Sequence, residues 1–426
     1  MLSRSLEEWL AEIETRHPSE IDLGLERVSL VWELLKDEMP RPGVVGPVNI
    51  VVAGTNGKGS CVTAMQAVLL GHGYSVGAFT SPHFLHYSER IRINGVAVSD
   101  QQLIEAFELI EATRSAISLT YFEFNALAAL IIFRRLDLDA VLLEVGLGGR
   151  LDAVNIIDSD VAILSSIDLD HQDWLGDTRS AIAQEKLGVA RSGKPLLVGE
   201  VDLPDGFHEM VQSIGAKALY GSNDFTIYDE ADSSKFSVSL KTDNGALLVP
   251  DITNGSLLPV NISLALQALV SAGFTIKPSV CREALRSLSL PGRQQRIEFR
   301  GIDLLLDVAH NPAAARVLAA NIPVIKGTTY AVASVLNDKD WCGIVAEIGY
   351  SVNVWLLGKI TDNHRAMESQ SLYEVVYNTG LEAVRFESVE CAFNRAVQLA
   401  SPHDQVIVFG SFHTVAVVLT IISKEG

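Results

Sequence analysis

The sequence predicts an α/β protein built from mostly parallel strands that are covered by helices on both faces. Two observations favour this class: short runs of Val, Ile and Leu recur along the chain, and segments of helical periodicity separate them. The length of 426 residues is enough for two or three domains, each with its own core. A hydrophobic content of 48% and a charged content of 20% exclude disordered, collagen-like and low-complexity proteins.

The first predicted element is a helix close to the N-terminus. Leu6, Trp9 and Ile13 recur at helical spacing behind a capping box formed by Ser5 and Glu8. The segment lacks the apolar stretch of a secretion signal, so we expect a structural helix and no targeting segment.

Eight apolar runs then predict strands, each followed by turn residues and a helical pattern. The runs are VNIVVA (48–53), DAVLLEV (139–145), DVAILSSI (160–167), KPLLVG (194–199), DLLLDVA (303–309), TYAVASV (329–335), NVWLLG (353–358) and QVIVFG (405–410). Between them, the polar stretch 221–258 predicts an antiparallel hairpin in a small sheet appended to the first domain, with Asn244 and Gly245 in its turn.

A domain boundary is predicted where the βα pattern restarts after an interrupted helix. Pro291 and Gly292 cause this interruption. We therefore predict one domain over residues 1–291 and a second over 292–426, with a hinge near residues 289–293.

Charge and cysteine content restrict the partners and the compartment. Lys plus Arg is 33 and Asp plus Glu is 52, a net charge of −19, and no basic run offsets it locally. We therefore expect neither nucleic acid nor a membrane as a partner. The four cysteines form no CxxC or Cys/His cluster, which argues against a disulfide framework and a structural zinc site. The longest apolar runs, at 126–133 and 415–422, are short of the about 20 residues that cross a bilayer as a helix. We expect a cytoplasmic monomer.

The strongest local signal is a phosphate-binding loop, VVAGTNGKGS at 51–60, which lies between a strand and a helical pattern. Gly54, Gly57 and Gly59 let backbone N–H groups approach an anion, Lys58 can reach terminal phosphates and Ser60 can bind Mg²⁺. The loop is not a strict GxxxxGK[ST] motif, because Gly59 separates Lys58 from Ser60. A glycine-rich turn that only starts a helix is the alternative, and we favour nucleotide binding.

Polar residues follow two predicted strands at the edge where open parallel sheets bind ligands. Glu144 ends one strand, and Asp168, Asp170, His171 and Asp173 follow the next. Because Mg²⁺ prefers oxygen ligands, we interpret Glu144 as a metal ligand. For Asp170 and Asp173 we expect helix capping or surface ion pairs instead.

Ten motifs occur in one order over roughly residues 17 to 417. They are VAGTNGKGS, TSPH, SERIRING, LTYFEF, LLEVGLGGRLDA, SIDLDHQDWLG, EKLGVAR, LPGRQQ, DVAHNP and FGSFHTV. Together they closely resemble the Mur ligase family, in its branch of bifunctional bacterial dihydrofolate synthase/folylpolyglutamate synthases. The resemblance implies an N-terminal ATPase domain with the phosphate loop, a smaller C-terminal Rossmann-like domain and an active site in the cleft between them.

The resemblance also implies residue roles. The implied ATP contacts are Asn56, Gly57, Lys58, Gly59, Ser60, Asn261, Arg293 and Asp307. The implied ligands around two Mg²⁺ ions are Ser60, Ser81, Glu144 and His171. The implied dihydropteroate pocket comprises Asp22, Leu23, Gly24, Leu25, Thr120, Tyr121, Phe122, Glu123, Leu151, Asp152 and Ala153.

Three further positions carry open alternatives. Lys186 matches a family lysine that is carbamylated, although an exposed, solvated lysine is the default interpretation. His310 is a candidate base or orienting group beside Asp307, and with Lys58 and Lys186 it completes the catalytic set. Ser411, in a segment with His413 that begins a helix, is expected to bind glutamate, or else to cap the helix.

The implied reaction is ATP-dependent amide formation through an acyl phosphate, with dihydropteroate or folates, L-glutamate and ATP as substrates. A Mur-type ligase for another carboxylate is a second interpretation, and a nucleotide-dependent switch that hydrolyses ATP without ligation is a third.

Overall fold

A computed structural model describes residues 4–19, 21–37 and 46–425. Contacts divide the chain into two compact units, the first comprising Met1–Ile167 and Leu175–Leu288 and the second Asp168–Trp174 and Ser289–Gly426. The short segment Asp168–Trp174, which the sequence boundary at residue 291 assigns to the first domain, therefore groups with the second unit.

The described residues form helices and strands in alternation, which confirms the predicted α/β class. The helices are α1 (Leu6–Arg16), α2 (Glu26–Asp37), α3 (Lys58–Gly71), α4 (Asp100–Thr113), α5 (Tyr121–Arg134), α6 (Gln172–Leu175), α7 (Arg179–Leu187), α8 (Phe207–Ile214), α9 (Pro259–Ser271), α10 (Pro278–Arg286), α11 (Pro312–Asn321), α12 (Trp341–Ile348), α13 (Ser369–Asn378), α14 (Val389–Leu399) and α15 (Phe412–Glu425). The strands are β1 (Asn49–Ala53), β2 (Val76–Phe79), β3 (Ile91–Ile93), β4 (Val96–Ala97), β5 (Ala140–Glu144), β6 (Val161–Leu164), β7 (Pro195–Val198), β8 (Lys217–Tyr220), β9 (Thr226–Asp229), β10 (Lys235–Thr242), β11 (Gly245–Thr253), β12 (Gln295–Phe299), β13 (Ile302–Leu306), β14 (Thr329–Ala333), β15 (Val354–Gly358), β16 (Glu382–Phe386) and β17 (Gln405–Phe409). Short 3₁₀ turns cover Tyr87–Arg90, Ala153–Ile156 and Gly349–Ser351.

The first unit is organised around an eight-stranded sheet of order β4-β3-β2-β5-β1-β6-β7-β8. The six strands from β2 to β8 in this order run parallel, and β3 and β4 add an antiparallel edge. Strands β1, β5 and β6 are buried along their whole length, as a parallel sheet covered on both faces requires. Helices α4 and α5 belong to the same core cluster as Val51, Phe79 and Leu143, and α3 packs on α9 and α10.

A small antiparallel sheet of order β11-β10-β9 also belongs to the first unit, as the polar stretch predicts. The turn prediction is wrong by one residue. Thr242 pairs with Gly245, so Asp243 and Asn244 form the turn and Gly245, with φ of 114°, begins β11. The positive φ explains why glycine is used at this strand start.

The second unit contains a six-stranded sheet of order β12-β13-β17-β14-β15-β16, in which only the β12–β13 pair is antiparallel. Its core cluster includes Trp341 and Trp355, whose rings meet edge to face at 5.7 Å. Strand β17 lies between β13 and β14 in the parallel part of the sheet. The loops that follow these three strands therefore start from the same edge of the sheet.

All eight predicted runs contain strands, and the N-terminal helix has the predicted capping box of Ser5 and Glu8. Within the described part of the chain, no helix combines the length and apolar character needed to span a bilayer.

Candidate functional site

The predicted phosphate loop lies at the point where the strand order of the first sheet reverses. The chain leaves β1 for β2 on one side of it, and leaves β5 for β6 on the other side. In open α/β sheets, ligands bind outside the carboxyl ends of the strands at such a point. The loops that follow β1, β5 and β6 therefore form the candidate site of the first unit.

The end of β6 anchors the loop between β1 and α3. The Asn56 N–H donates to the Ser166 hydroxyl (2.9 Å), and the Thr55 N–H donates to the Ser166 carbonyl (2.9 Å). The Ser165 hydroxyl donates to the Asn56 carbonyl at 2.6 Å. These bonds tie the loop backbone to the end of β6 and so hold it in one conformation.

Glycine is required at position 57. Gly57 begins α3 with φ of 88°, and a Cβ built there would lie 2.5 Å from the Asn261 Oδ1. Asn261 is buried on α9. The structure thus brings two predicted ATP contacts, Gly57 and Asn261, into direct proximity.

Lys58 folds back over the loop that precedes it. Its Nζ donates to the carbonyl oxygens of Gly54 (2.9 Å) and Thr55 (3.3 Å). When an anion enters the loop, the Lys58 ammonium can exchange these backbone carbonyls for phosphate oxygens, because carbonyl and phosphate oxygens are both hydrogen-bond acceptors.

Asp152 is a buried carboxylate within the electrostatic reach of Lys58. Burial raises the pKa of Asp152 to about 6, against the opposing effect of backbone N–H groups and of the Lys58 charge. Its oxygens accept from the N–H groups of Leu147 (2.9 Å) and Val154 (3.0 Å), so the side chain also caps the 3₁₀ turn that starts at Ala153.

Three of the four predicted metal ligands belong to the first unit. Ser60 and Glu144 are both buried, and the Glu144 Oε2 accepts from the Ser81 N–H at 3.1 Å. A Cβ built on Gly59 would lie 3.4 Å from the Glu144 Oε2, so this carboxylate sits directly against the start of α3.

This donor set fits a magnesium ion that keeps water and phosphate ligands, because Mg²⁺ usually takes only one or two carboxylates from a protein. Across residues 4–19, 21–37 and 46–425, no group of three or more His, Cys, Asp or Glu side chains could hold an ion by itself. The fourth predicted ligand, His171, lies in the second unit, with its ring edge-on to Trp174 at 6.2 Å.

Lys186 is buried in the last turn of α7, so its interpretation as an exposed lysine is wrong. The glycine-rich loop after β5 packs on this turn: a Cβ on Gly149 would lie 2.9 Å from the carbonyl oxygens of Glu185 and Lys186. The Arg150 guanidinium pairs with Glu185 at 2.7 Å. Sequence periodicity could not have revealed this burial, because α7 is short and polar on average.

The segments of the predicted pterin pocket, 22–25, 120–123 and 151–153, all belong to the first unit. Leu23 and Leu25 pack on its core, and a Cβ on Gly24 would contact nothing within 4 Å. The 3₁₀ turn that begins at Ala153 packs against α2, which directly follows segment 22–25, and against α5, which begins at Tyr121.

Aromatic rings cluster around the first residues of α5. Tyr121 and Tyr87 meet edge to face at 6.1 Å, with the Arg90 guanidinium 5.6 Å from the Tyr121 ring. The Phe122 ring covers Gly146, where a Cβ would lie 2.5 Å from the Phe122 Cζ. Thr120 and Glu123 form a reciprocal capping box at the start of α5.

In the second unit, Asp307 and Arg293 lie together at the end of β13. The Asp307 carboxylate accepts from the N–H groups of Gln294 (2.9 Å) and Ala309 (2.8 Å). Burial raises the pKa of Asp307, and the Arg293 charge opposes that rise. The Arg293 guanidinium lies 5.0 Å from the Phe412 ring.

Asp170 is the centre of a buried ion cluster, so its prediction as a cap or surface pair is wrong. It accepts from Lys339 Nζ (2.6 Å) and lies 3.2 Å from His310 Nε2. Burial alone would raise the pKa of Asp170, but the hydrogen bond and charge of His310 and the charge of Lys339 hold it well below its ordinary value. Asp338 adds a second contact to Lys339 at 3.1 Å.

Lys339 and Asp338 were not predicted as site residues. They follow β14 in the motif NDKD, and no local pattern distinguishes that motif from a solvated turn. By contrast, Asp173 is exposed, and its role as a helix cap or surface ion pair stays a prediction.

Ser411 caps α15. Its Oγ accepts from the Thr414 N–H at 3.0 Å and contacts the Thr414 hydroxyl at 2.8 Å. The capping alternative for Ser411 is therefore supported. His413 lies on the same helix, with its Nε2 at 3.0 Å from the Asn363 Nδ2.

Comparisons with known proteins are consistent across most of the chain. The family described as Mur ligase, glutamate ligase domain, matches residues 292–412. The dihydrofolate synthase/folylpolyglutamate synthase of Escherichia coli strain K12 is 39% identical over 427 residues, which span 99% of this chain and 96% of that protein. A structure of E. coli FolC in complex with DHPP and ADP has a TM-score of 0.91 at 37% identity and covers 99% of both chains. A bifunctional folylpolyglutamate synthase/dihydrofolate synthase from Yersinia pestis, complexed with AMPPNP and Mn ion, has a TM-score of 0.89 at 39% identity and covers 99% of this chain and 98% of that one.

Proposed function

The chain belongs to the dihydrofolate synthase/folylpolyglutamate synthase family of Mur ligases, and on that premise we propose that it joins L-glutamate to dihydropteroate and to tetrahydrofolate or its polyglutamates. ATP is the co-substrate and is cleaved to ADP and phosphate. The observation that carries this proposal is the anchored glycine loop with Lys58 at the strand-order reversal of the first sheet.

The first chemical step joins two groups that repel each other. A substrate carboxylate oxygen attacks the γ-phosphorus of ATP, the bond to the ADP oxygen breaks, and an acyl phosphate forms. Lys58 and the N–H groups at the start of α3 offset the negative charge of the phosphates. The loop geometry supports this role because the N-cap residue of α3 is Gly57, which has no side chain to cap the helix.

Magnesium fits this arrangement and would neutralise charge on the phosphate oxygens when bound. Ser60, Ser81 and Glu144 are the first-unit residues that would hold it, and His171 is the further candidate from the second unit. Two ions and a carbamate on Lys186 extend the proposal: a carbamate converts this buried cation into an oxygen donor. A mass increment of one carbon dioxide on Lys186 in the intact protein tests the carbamate.

In the second step, the glutamate amine displaces phosphate from the acyl phosphate and gives up a proton as the amide forms. His310 was predicted as base or orienting group, and its contacts favour the orienting role. Its Nδ1 lies 2.8 Å from the Val308 carbonyl oxygen and its Nε2 3.2 Å from Asp170. Both ring nitrogens thus face acceptor oxygens within the second unit, and these two contacts fix the orientation of the imidazole ring.

Arg293 and Asp307 are proposed as further ATP contacts, and Ser411 as a cap that fixes the start of α15, where N–H groups can bind a glutamate carboxylate. These assignments rest on the resemblance together with the geometry of the second unit alone.

The experiment is an ADP-release assay with dihydropteroate and with tetrahydrofolate, each with and without L-glutamate. We expect ADP release that requires both an acceptor and glutamate, for both acceptors. Release that is insensitive to either addition would indicate a nucleotide switch. Turnover with neither folate acceptor would indicate a Mur-type ligase for another carboxylate.

A further inference from the structure

Arg27, in the first turn of α2, contacts two segments of the predicted pterin pocket at once. Its Nη1 donates to the Asp22 carboxylate (2.7 Å), and its Nη2 donates to the Asp22 backbone carbonyl (2.8 Å). The same Nη2 lies 3.2 Å from Glu123 Oε1. The guanidinium therefore joins the segment 22–25 to the start of α5.

Glu123 is the fixed end of this arrangement. Its side chain is only 4% exposed, and its Oε2 accepts from the Thr120 N–H at 2.7 Å within the α5 capping box. A buried carboxylate needs hydrogen-bond partners and opposite charge to remain ionised at low cost. One oxygen is satisfied by the helix terminus, and the other faces Arg27.

Asp22 is the end of this arrangement that lies outside regular secondary structure. Residues 21–24 form neither helix nor strand, and the Asp22 side chain is 40% exposed. His17 is a second neighbour of this carboxylate, at 3.5 Å. Without contacts to the rest of the first unit, an irregular segment of this kind samples many conformations. The entropy lost when a ligand orders the segment would then reduce the binding free energy.

We propose that Arg27 is a positioning residue for the pterin substrate: it fixes segment 22–25 against the first turn of α5, so that the pocket exists before the ligand arrives. The inference rests on the proposed function, because it takes dihydropteroate as the ligand of these segments. Arg27 itself need not contact the ligand. Its planar guanidinium donates to three acceptor atoms of two residues in fixed directions, which the point charge of a lysine cannot reproduce.

The test compares Arg27→Met and Arg27→Lys with wild type and with a matched control, Arg16→Met. Arg16 also joins two carboxylates, those of Glu12 and Glu111, in the first unit, but its partners lie outside segments 22–25, 120–123 and 151–153. The measurements are the Kd of dihydropteroate by titration calorimetry, the KM values for dihydropteroate and for ATP, and the thermal unfolding midpoint.

We expect Arg27→Met to raise the Kd and KM for dihydropteroate about tenfold or more, because it removes charged hydrogen bonds to two carboxylates, those of Asp22 and Glu123. The KM for ATP and kcat should stay close to wild type, and Arg27→Lys should be intermediate. Arg16→Met should lower the unfolding midpoint by about as much as Arg27→Met does. Its affinity for dihydropteroate should stay at the wild-type value. If Arg27→Met does not fold, Asp22→Asn removes the negative charge on the loop side of the tie and keeps the Arg27 contact to the Asp22 backbone carbonyl. It should raise the Kd in the same direction by a smaller factor.

Unchanged dihydropteroate affinity in Arg27→Met or in Asp22→Asn would overturn the inference, as would an equal loss in Arg16→Met or equal rises in the KM for ATP. These outcomes leave the proposed function intact, since wild type binds and turns over dihydropteroate. A wild-type protein that does not bind dihydropteroate would overturn the proposed function, and this inference with it.

Discussion

The buried carboxyl of Asp152 should make the stability of the protein depend on pH in a calculable way. Its pKa is about 6 in the folded protein against an ordinary value of 3.8, with burial as the main cause. One pKa unit corresponds to about 1.4 kcal/mol, so holding this group ionised costs the folded state about 3 kcal/mol at neutral pH. Because the folded state binds the proton more tightly than the unfolded chain, stability from this group rises as pH falls through 6 and levels off near 4.

The perturbation is Asp152→Asn, which cannot titrate. Between pH 7 and pH 5 the linkage relation gives about 1.3 kcal/mol for this carboxyl. The free energy of unfolding of wild type, relative to Asp152→Asn, should therefore increase by about that amount on acidification. Other carboxylates titrate in both proteins and cancel in the difference.

Urea unfolding at pH 5, 6 and 7, followed by far-ultraviolet circular dichroism, measures this difference. If the difference in unfolding free energy between the two proteins stays constant from pH 7 to pH 5, the pKa of Asp152 is not raised. If the difference falls on acidification, the pKa is lowered instead of raised. The same carboxylate lies in the predicted pterin pocket, so the KM for dihydropteroate should rise as pH drops through about 6 in wild type. This pH dependence should be absent in Asp152→Asn.

Three further predictions concern the phosphate loop and the ion cluster. Lys58→Ala should reduce ADP release about 100-fold or more with both folate acceptors, because it removes a preorganised charge near the phosphates, with an unchanged unfolding midpoint. Gly57→Ala should destabilise the protein by about 2 kcal/mol, since φ of 88° and the nearby Asn261 Oδ1 both oppose a Cβ. Asp170→Asn should cost about 3 kcal/mol in urea unfolding, because it leaves the buried Lys339 charge with a weaker set of partners.

Each of these has a control in the chain. Lys58→Arg retains the positive charge. A turnover closer to wild type than that of Lys58→Ala would show that the charge at the loop is required. Asn261→Ser beside Gly57→Ala should recover part of the lost stability; no recovery would show that backbone strain alone is responsible. Asp173→Asn removes an exposed carboxylate from the same segment as Asp170, and an equal loss there would contradict the importance of the buried cluster.

The architecture was largely predictable because a parallel sheet covered on both faces leaves a strong sequence signal. Strands β1, β5, β6 and β17 are buried throughout and appear as unbroken apolar runs. Strand β16 was missed because it is a sheet edge with alternating and mostly exposed side chains. Strand β2 was missed because it has four residues, one of them glycine.

The candidate site was predictable where it is local in sequence. The phosphate loop is one contiguous segment, so spacing alone indicates its geometry. The environment of Asp170 was not predictable, because its partners His310 and Lys339 are 140 and 169 residues away in the chain. Burial of Lys186 likewise depends on packing with a distant loop.

The grouping of Asp168–Trp174 with the second unit makes that unit discontinuous in the chain. A fragment trimmed to residues 292–412, the extent of the matched glutamate ligase domain, would carry Lys339 and His310 but lack the carboxylate that both contact. In such a fragment, Lys339 would keep Asp338 but lose Asp170, and His310 would lose its contact to Asp170. Adding a synthetic heptapeptide of sequence DLDHQDW should restore part of the cooperativity of unfolding of this fragment. A chimera that exchanges C-terminal halves between homologues must transfer Asp168–Trp174 together with the C-terminal segment.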